Sequence, residues 1–274
     1  DAHFSNRDAF LGQLLLDLVR LADSAARQGH KGVVRLNATS DIKWEEYRFP
    51  EDAARVQEIL SGVDPNIIRS GIRSVLAGLA GREGSGRDGR SRRADLLAGL
   101  SERVAGRCVM DIFPDIQFYD YTKDPGRVMK SLRGRRGEGT WPENYYLILS
   151  LAEDNRNIAL RVLREGGTVA AVFNVANFAN SKGDFPKKWY GFPVLDADEH
   201  DYRFLDTPGC VAGLRSKGEA KFRETNYGFV IEADDEGLDQ SDPAVIAARE
   251  YIEDWERRRG TGELVGRPGQ KNAE

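Results

Sequence analysis

Apolar residues recur along this chain in two alternating rhythms, one of helical period and one of short continuous runs. Phe10, Leu14, Leu18, Leu21 and Ala25 repeat at helical spacing, with Leu11, Leu15 and Val19 widening the stripe. They predict a helix over 5–28, opened by Ser5 with Asp8 three positions on and stopped by Gly29. Val33-Val-Arg-Leu-Asn37 then reads as a strand that breaks into the polar run Ala38-Thr39-Ser40-Asp41. Residues 50–60 read as a second helix with Pro50 at its start.

Residues 63–106 have a different character. Ile67, Ile72, Val75 and Leu79, then Leu96, Leu100 and Val104, mark two helical stretches around a glycine- and arginine-rich tract at 81–93. A tract of that composition buries too little apolar surface to offset its ordering entropy. The region is therefore expected to be a helical insertion with a flexible centre.

The alternation then resumes. Strands are predicted at 116–122, 145–151 and 168–173, with helices at 125–133 and 155–165, the second stopped by Gly166-Gly167. Further strands are expected at 211–214 and 227–231, a last helix at 243–259, and a flexible tail at 263–274. Continuous apolar strands separated by helices imply a parallel sheet covered on both faces. The expected fold is a single α/β domain over 1–262: a partial or open (β/α) barrel-like parallel sheet, with a doubly wound sheet as the alternative. No glycine-rich phosphate fingerprint follows an early strand, which argues against dinucleotide binding.

Composition narrows the function classes. A net charge of −4 and a pI near 5.6 give no global pull toward nucleic acid or an anionic membrane, so such binding needs a local patch. No apolar run approaches the roughly 20 residues of a membrane span. The two cysteines, Cys108 and Cys210, stand far apart, which disfavours a disulfide framework or structural zinc site and suggests a reducing, cytoplasmic compartment. The sequence leaves the cofactor open. The chain opens at Asp1, as a processed chain or a fragment would.

In parallel α/β folds, ligands sit beyond the carboxyl ends of the strands. The polar residues there are Asn37, Ser40 and Asp41, then Tyr119, Tyr121 and Lys123, then Glu153, Asn174 and Lys217. Asp41, Glu45, Glu153, Asp198 and Asp201 are candidate acid–base groups. Asn37, Ser40, Trp44, Tyr119, Tyr121, Lys123, Asn174 and Lys217 are candidate ligand contacts, with the lysines suited to an anionic substrate group. Trp44 could equally be an apolar anchor. A buried Asp120 would need a partner and would then be structural. Asp196-Ala-Asp-Glu-His-Asp201 gathers four carboxylates and His200, and reads either as a hard-cation site or as a solvated acidic turn. Lys130, Arg133, Arg135 and Arg136 form a basic block that could meet phosphate backbones, though without interleaved aromatics for base stacking.

Val34-Arg-Leu-Asn-Ala-Thr-Ser-Asp-Ile42, Phe113-Pro-Asp-Ile-Gln-Phe-Tyr-Asp-Tyr-Thr-Lys123, the run 196–206 and Gly213-Leu-Arg-Ser-Lys-Gly218 together resemble the phage- and plasmid-encoded gene product 88 family. The resemblance covers most of the chain apart from 63–106, and it brings no activity with it. It implies a cysteine-containing stretch ahead of the first helix, a layout similar to radical-SAM partial barrels. Asp1 opens this chain without one, and Cys108 and Cys210 cannot supply three closely spaced thiolates. Three readings stand: an enzyme with its pocket at the strand ends, radical-SAM-like only if a preceding segment supplies cysteines; a nucleic-acid-associated accessory protein of a mobile element; and a structural or interaction protein.

Overall fold

The computed structural model describes residues 7–37, 40–61, 98–175, 177–178, 181–182, 184–217 and 228–260. Ser5, Thr39, the 81–93 tract and the 263–274 tail lie outside them. The described elements are α1 (Arg7–Arg27), β1 (Val33–Arg35), α2 (Ala53–Ser61), α3 (Val109–Ile112), β2 (Gln117–Thr122), α4 (Pro125–Arg135), β3 (Tyr145–Ser150), α5 (Arg156–Arg164) and β4 (Val169–Phe173). There follow β5 (Asn177–Phe178), β6 (Ser181–Lys182), β7 (Lys188–Trp189), β8 (Phe192–Asp196), a 3-10 turn (Arg203–Leu205), β9 (Val211–Arg215), β10 (Val230–Ile231) and α6 (Pro243–Gly260). Residues 98–104 are helical, in the expected second half of the insertion.

Eight strands form an open, mostly parallel sheet in the order β1-β2-β3-β4-β9-β8-β7, with β10 also beside β4. The first four neighbours follow chain order, as in a (β/α) barrel, but the sheet does not close. β7 and β8 pair antiparallel, and β5 and β6 make a separate two-stranded ribbon. The chain divides into two compact units: residues 1–120 with 140–146, and residues 121–139 with 147–274.

In the first unit, α1 buries Leu11, Leu15, Leu16, Leu18 and Val19. Fully burying each such side chain is worth about 1.5–3 kcal/mol. The buried line is thus Leu11-Leu15-Leu18, one step round from the Phe10-Leu14-Leu18 stripe expected, with Phe10 and Leu14 half-buried at its margin. α2 contributes Val56, Ile59 and Leu60. β1 and β2 pair in parallel, with Val34 opposite Phe118. The Asn144 carboxamide nitrogen lies 2.9–3.2 Å from the carbonyl oxygens of Met110, Phe113 and Ile116, which fixes the chain entering β2.

In the second unit, β4 pairs along its whole length with β9. Its other edge is shared: β3 meets Val169 and Ala170, and β10 meets Val172 and Phe173. β3 and β4 are buried at nearly every position, as a doubly covered sheet requires. Pro125 sits in the first turn of α4, whose amides at Gly126 and Arg127 donate to the Asp124 carboxylate at 2.9 and 3.2 Å. Gly166 ends α5 in the left-handed region, at φ 82°. Gly213 of β9 answers a different demand. A Cβ there would lie 2.9 Å from both the Phe185 ring and Val194, so only glycine lets that ring lie against the strand.

Candidate functional site

Two polar clusters form at strand ends, one in each unit. In the first, the loop after β1 is organised by Asn37. Its side-chain oxygen accepts from Ser40 Oγ (2.9 Å), the Ile42 amide (3.2 Å) and Trp44 Nε1 (3.0 Å). Its backbone and side-chain nitrogens donate to Asp120 at 2.7 and 3.1 Å. Asp120 is fully buried and also accepts from Tyr145 Oη at 2.8 Å. The partner that a buried Asp120 demands is therefore this pair of residues. Trp141 stacks on Tyr145 with ring centroids 5.5 Å apart, and its indole N–H donates to the Tyr145 carbonyl. Of the residues singled out from the sequence, this cluster unites Asn37, Ser40 and Trp44. Trp44 is buried, with Phe10 stacked on its ring and Tyr47 tilted against it. Asp41 is exposed, while Glu45 and Tyr119 are buried. With Asp120 and Tyr145 closed off from solvent, this arrangement braces the β1 loop.

The second cluster lies where β4, β8, β9 and β10 end. Asn174, just past β4, donates from its backbone to the Ile231 carbonyl of β10 (2.9 Å) and from its side chain to Glu232 (2.9 Å). Ser216, just past β9, donates from its amide to the Phe173 carbonyl and from its hydroxyl to Asn174 Oδ1 (3.2 Å). One asparagine thus joins three strand ends.

Beside it, Arg215 is nearly buried. Its guanidinium makes a two-pronged contact with Asp196, at 2.9 Å on both arms, and reaches Asp198 at 3.0 Å. Its charge also sits 4.3 Å above the Phe185 ring. Burial disfavours the guanidinium's charge, but hydrogen bonds to Asp196 and Asp198 outweigh it and the net pKa shift is upward. Lys217 is 79% exposed and touches Asp198 only at 3.4 Å.

The acidic run 196–201 is therefore not a common centre. Asp196 and Asp198 turn onto Arg215, and Asp201 lies exposed at the turn before the 3-10 segment. Among the described residues, no three His, Cys, Asp or Glu side chains gather as a metal ion would need. Glu153 is exposed on the loop after β3, beside Gly228, where an added Cβ would lie 3.9 Å from Glu153 Cβ. Tyr121 is half-buried and Lys123 exposed, next to the α4 cap. Lys130, Arg133 and Arg135 are exposed on α4, while Arg136 pairs with Glu165 at 2.8 Å and Glu138 at 3.4 Å. Cys108 and Cys210 are unpaired and buried, and burial pushes both thiols up.

Sequence reasoning missed Arg215, Ser216 and Glu232. Arg215 and Ser216 lie two and one places before the noted Lys217, so reading past the last apolar residue of β9 finds them. Glu232 follows the short strand β10 in the same way. Also missed was Asp235, which accepts from Trp189 Nε1 (3.1 Å) and the Gly237 amide (2.9 Å) and pairs with Arg156 (2.8 Å). No local pattern announces that contact.

Fold and site define the class: an α/β protein with an open, mostly parallel sheet and polar networks at its strand ends. Over residues 101–233 the chain matches the family model of gene product 88. No curated protein and no solved structure matches the chain. The matched stretch holds β2, β3, β4, β8, β9 and β10, and with them the entire second cluster. No helix among the described residues is long and apolar enough to cross a membrane.

Proposed function

We propose that the chain is an enzyme-type domain that takes a small anionic ligand at the carboxyl ends of β4, β9 and β10. Lys217 would hold the anionic group, and Glu232, positioned by Asn174, would serve as the acid–base group. The observation that carries this reading is the Asn174 network, which brings Ser216, Lys217 and Glu232 to neighbouring ends of parallel strands. Ligands of parallel α/β sheets occupy this edge. The charges around it support the division of labour. Arg215 is already satisfied by two carboxylates, whereas the Lys217 ammonium is exposed and, among the described residues, held by one long contact that an incoming anion can replace. Asp198 then acts as the group that orients Lys217, and Glu153 belongs to the rim.

A thermal-shift screen of inorganic phosphate, phosphate monoesters and di- and tricarboxylates tests this, because a ligand specific to the folded state raises Tm by mass action. At least one compound is expected to stabilise the chain, and Lys217→Ala is expected to abolish that shift with little change in the unliganded Tm. A panel without any stabilising member, or a shift unchanged in both Lys217→Ala and Glu232→Gln, overturns the reading in favour of a structural or interaction role.

A further inference from the structure

We infer that the paired helices α4 and α5 form a second, independent binding surface, for the phosphate backbone of nucleic acid. The two helices lie side by side in the second unit. Arg136, just after α4, reaches Glu165, just after α5, at 2.8 Å, so their C-terminal ends are neighbours. Each helix turns one side inward: Arg127, Val128, Ser131 and Leu132 are buried on α4, and Ala159, Leu160, Val162 and Leu163 on α5. What remains outward is mostly basic, with Asn157 and Ile158 exposed beside the cations of α5. Lys130, Arg133 and Arg135 are exposed on α4, and Arg161 and Arg164 on α5, with Arg136 between the two ends. The arginines of α5 extend the α4 block across a second helix, at an axis separation of about 8–10 Å.

The charge balance distinguishes this face from an ordinary solvated one. Among the described residues of these helix faces and the turns that follow them, six cations stand with the two carboxylates Glu138 and Glu165, both engaged by Arg136. Basic residues in a helix's last turn are also favoured by its dipole, but that dipole amounts to about half a charge per helix, far short of the cations present. Arg133, Arg161 and Arg164 form no ion pair among the described residues. The chain as a whole carries −4. Even so, charges beyond about 8 Å are screened at physiological salt, so a ligand at this face meets a strongly positive local field. Five of the six cations are arginine, whose planar fork matches phosphate oxygens. Neither helix carries an aromatic side chain, which favours backbone contact with a duplex over base stacking with a single strand.

The test is fluorescence anisotropy on the full chain with a labelled DNA duplex of about 20 base pairs, titrated between about 50 and 200 mM KCl. Wild-type protein is expected to bind at low salt with a steep salt dependence. The triple variant Arg133→Gln/Arg161→Gln/Arg164→Gln should bind at least tenfold more weakly, and its log–log salt slope should fall by about 2.7, near 0.9 per lost phosphate contact. The triple lysine variant keeps the charges and should retain the slope, which separates loss of charge from loss of fold. Absence of binding at about 50 mM KCl overturns the proposal. So does a glutamine variant that binds like wild type, or equal capture by vesicles of anionic phospholipid that do not compete with the duplex. Ligand-induced stabilisation through Lys217 is unaffected by these substitutions, so the two proposals fail separately.

Discussion

The backbone amide and the carboxamide of Asn37 both donate to the Asp120 carboxylate, at 2.7 and 3.1 Å, across 83 residues of sequence. A fully buried carboxylate is tolerated only when its lone pairs are met, and Tyr145 Oη supplies a further donor. This bond set decides the shape of the β1 loop, because the other end of the Asn37 side chain holds Ser40, Ile42 and Trp44.

Asn37→Ala should therefore destabilise the chain by about 2–4 kcal/mol, and Tyr145→Phe by about 1–3 kcal/mol, as buried acceptors and donors lose partners. Because both act on Asp120, their effects should not add in a double-mutant cycle read by urea unfolding. Additive losses would show that the two bonds are energetically separate.

Arg215 makes a second testable case. Arg215→Ala leaves Asp196 and Asp198 facing each other without their cation and should cost about 3 kcal/mol. Arg215→Lys keeps a charge but loses the two-pronged fork, so it should cost less, about 1 kcal/mol. Equal stability of the alanine variant and wild type in urea would contradict this account of the cluster.

These two clusters also show what was legible beforehand. β3 and β4 announced themselves as apolar runs, and their observed bounds sit within a residue of expectation, because doubly buried parallel strands have no polar face to blur them. Gly29 and Gly166 marked helix ends for the reason the structure shows, a left-handed residue at each. β8 escaped notice because Pro193 interrupts Phe192-Pro-Val-Leu-Asp196, and proline is tolerated there only at the antiparallel edge with β7. Asn37, Asn174 and Lys217 were visible as polar residues after apolar runs. What they bind was not, since Asn37 meets Asp120, and Asn174 meets Glu232, 58 residues on, through pairings only the folded sheet creates. The same reason makes the 196–201 run look like a metal site in sequence: its cation, Arg215, lies 19 residues beyond Asp196.

Asp206 gives a pH signature. It is buried against Arg203, at 3.2 Å, and burial raises its carboxyl above the ordinary 3.8, opposed by Arg203. The folded state thus holds this proton to higher pH than the unfolded state. Its stabilising contribution is complete below 3.8 and is lost as pH rises from there through the raised folded value. In urea unfolding from about pH 4 upward, the stability of wild type relative to Asp206→Asn should decline across that window. A difference that grows with pH would contradict the assignment.

The central claim is that the Asn174 network marks a binding site for a small anion. Amide-resolved NMR titration with whichever phosphate ester or carboxylate stabilises the chain tests it most directly. The account predicts saturable shifts centred on Asn174, Ser216, Lys217 and Glu232, absent in Lys217→Ala. Saturable shifts centred on other residues, with these four unmoved, would contradict it.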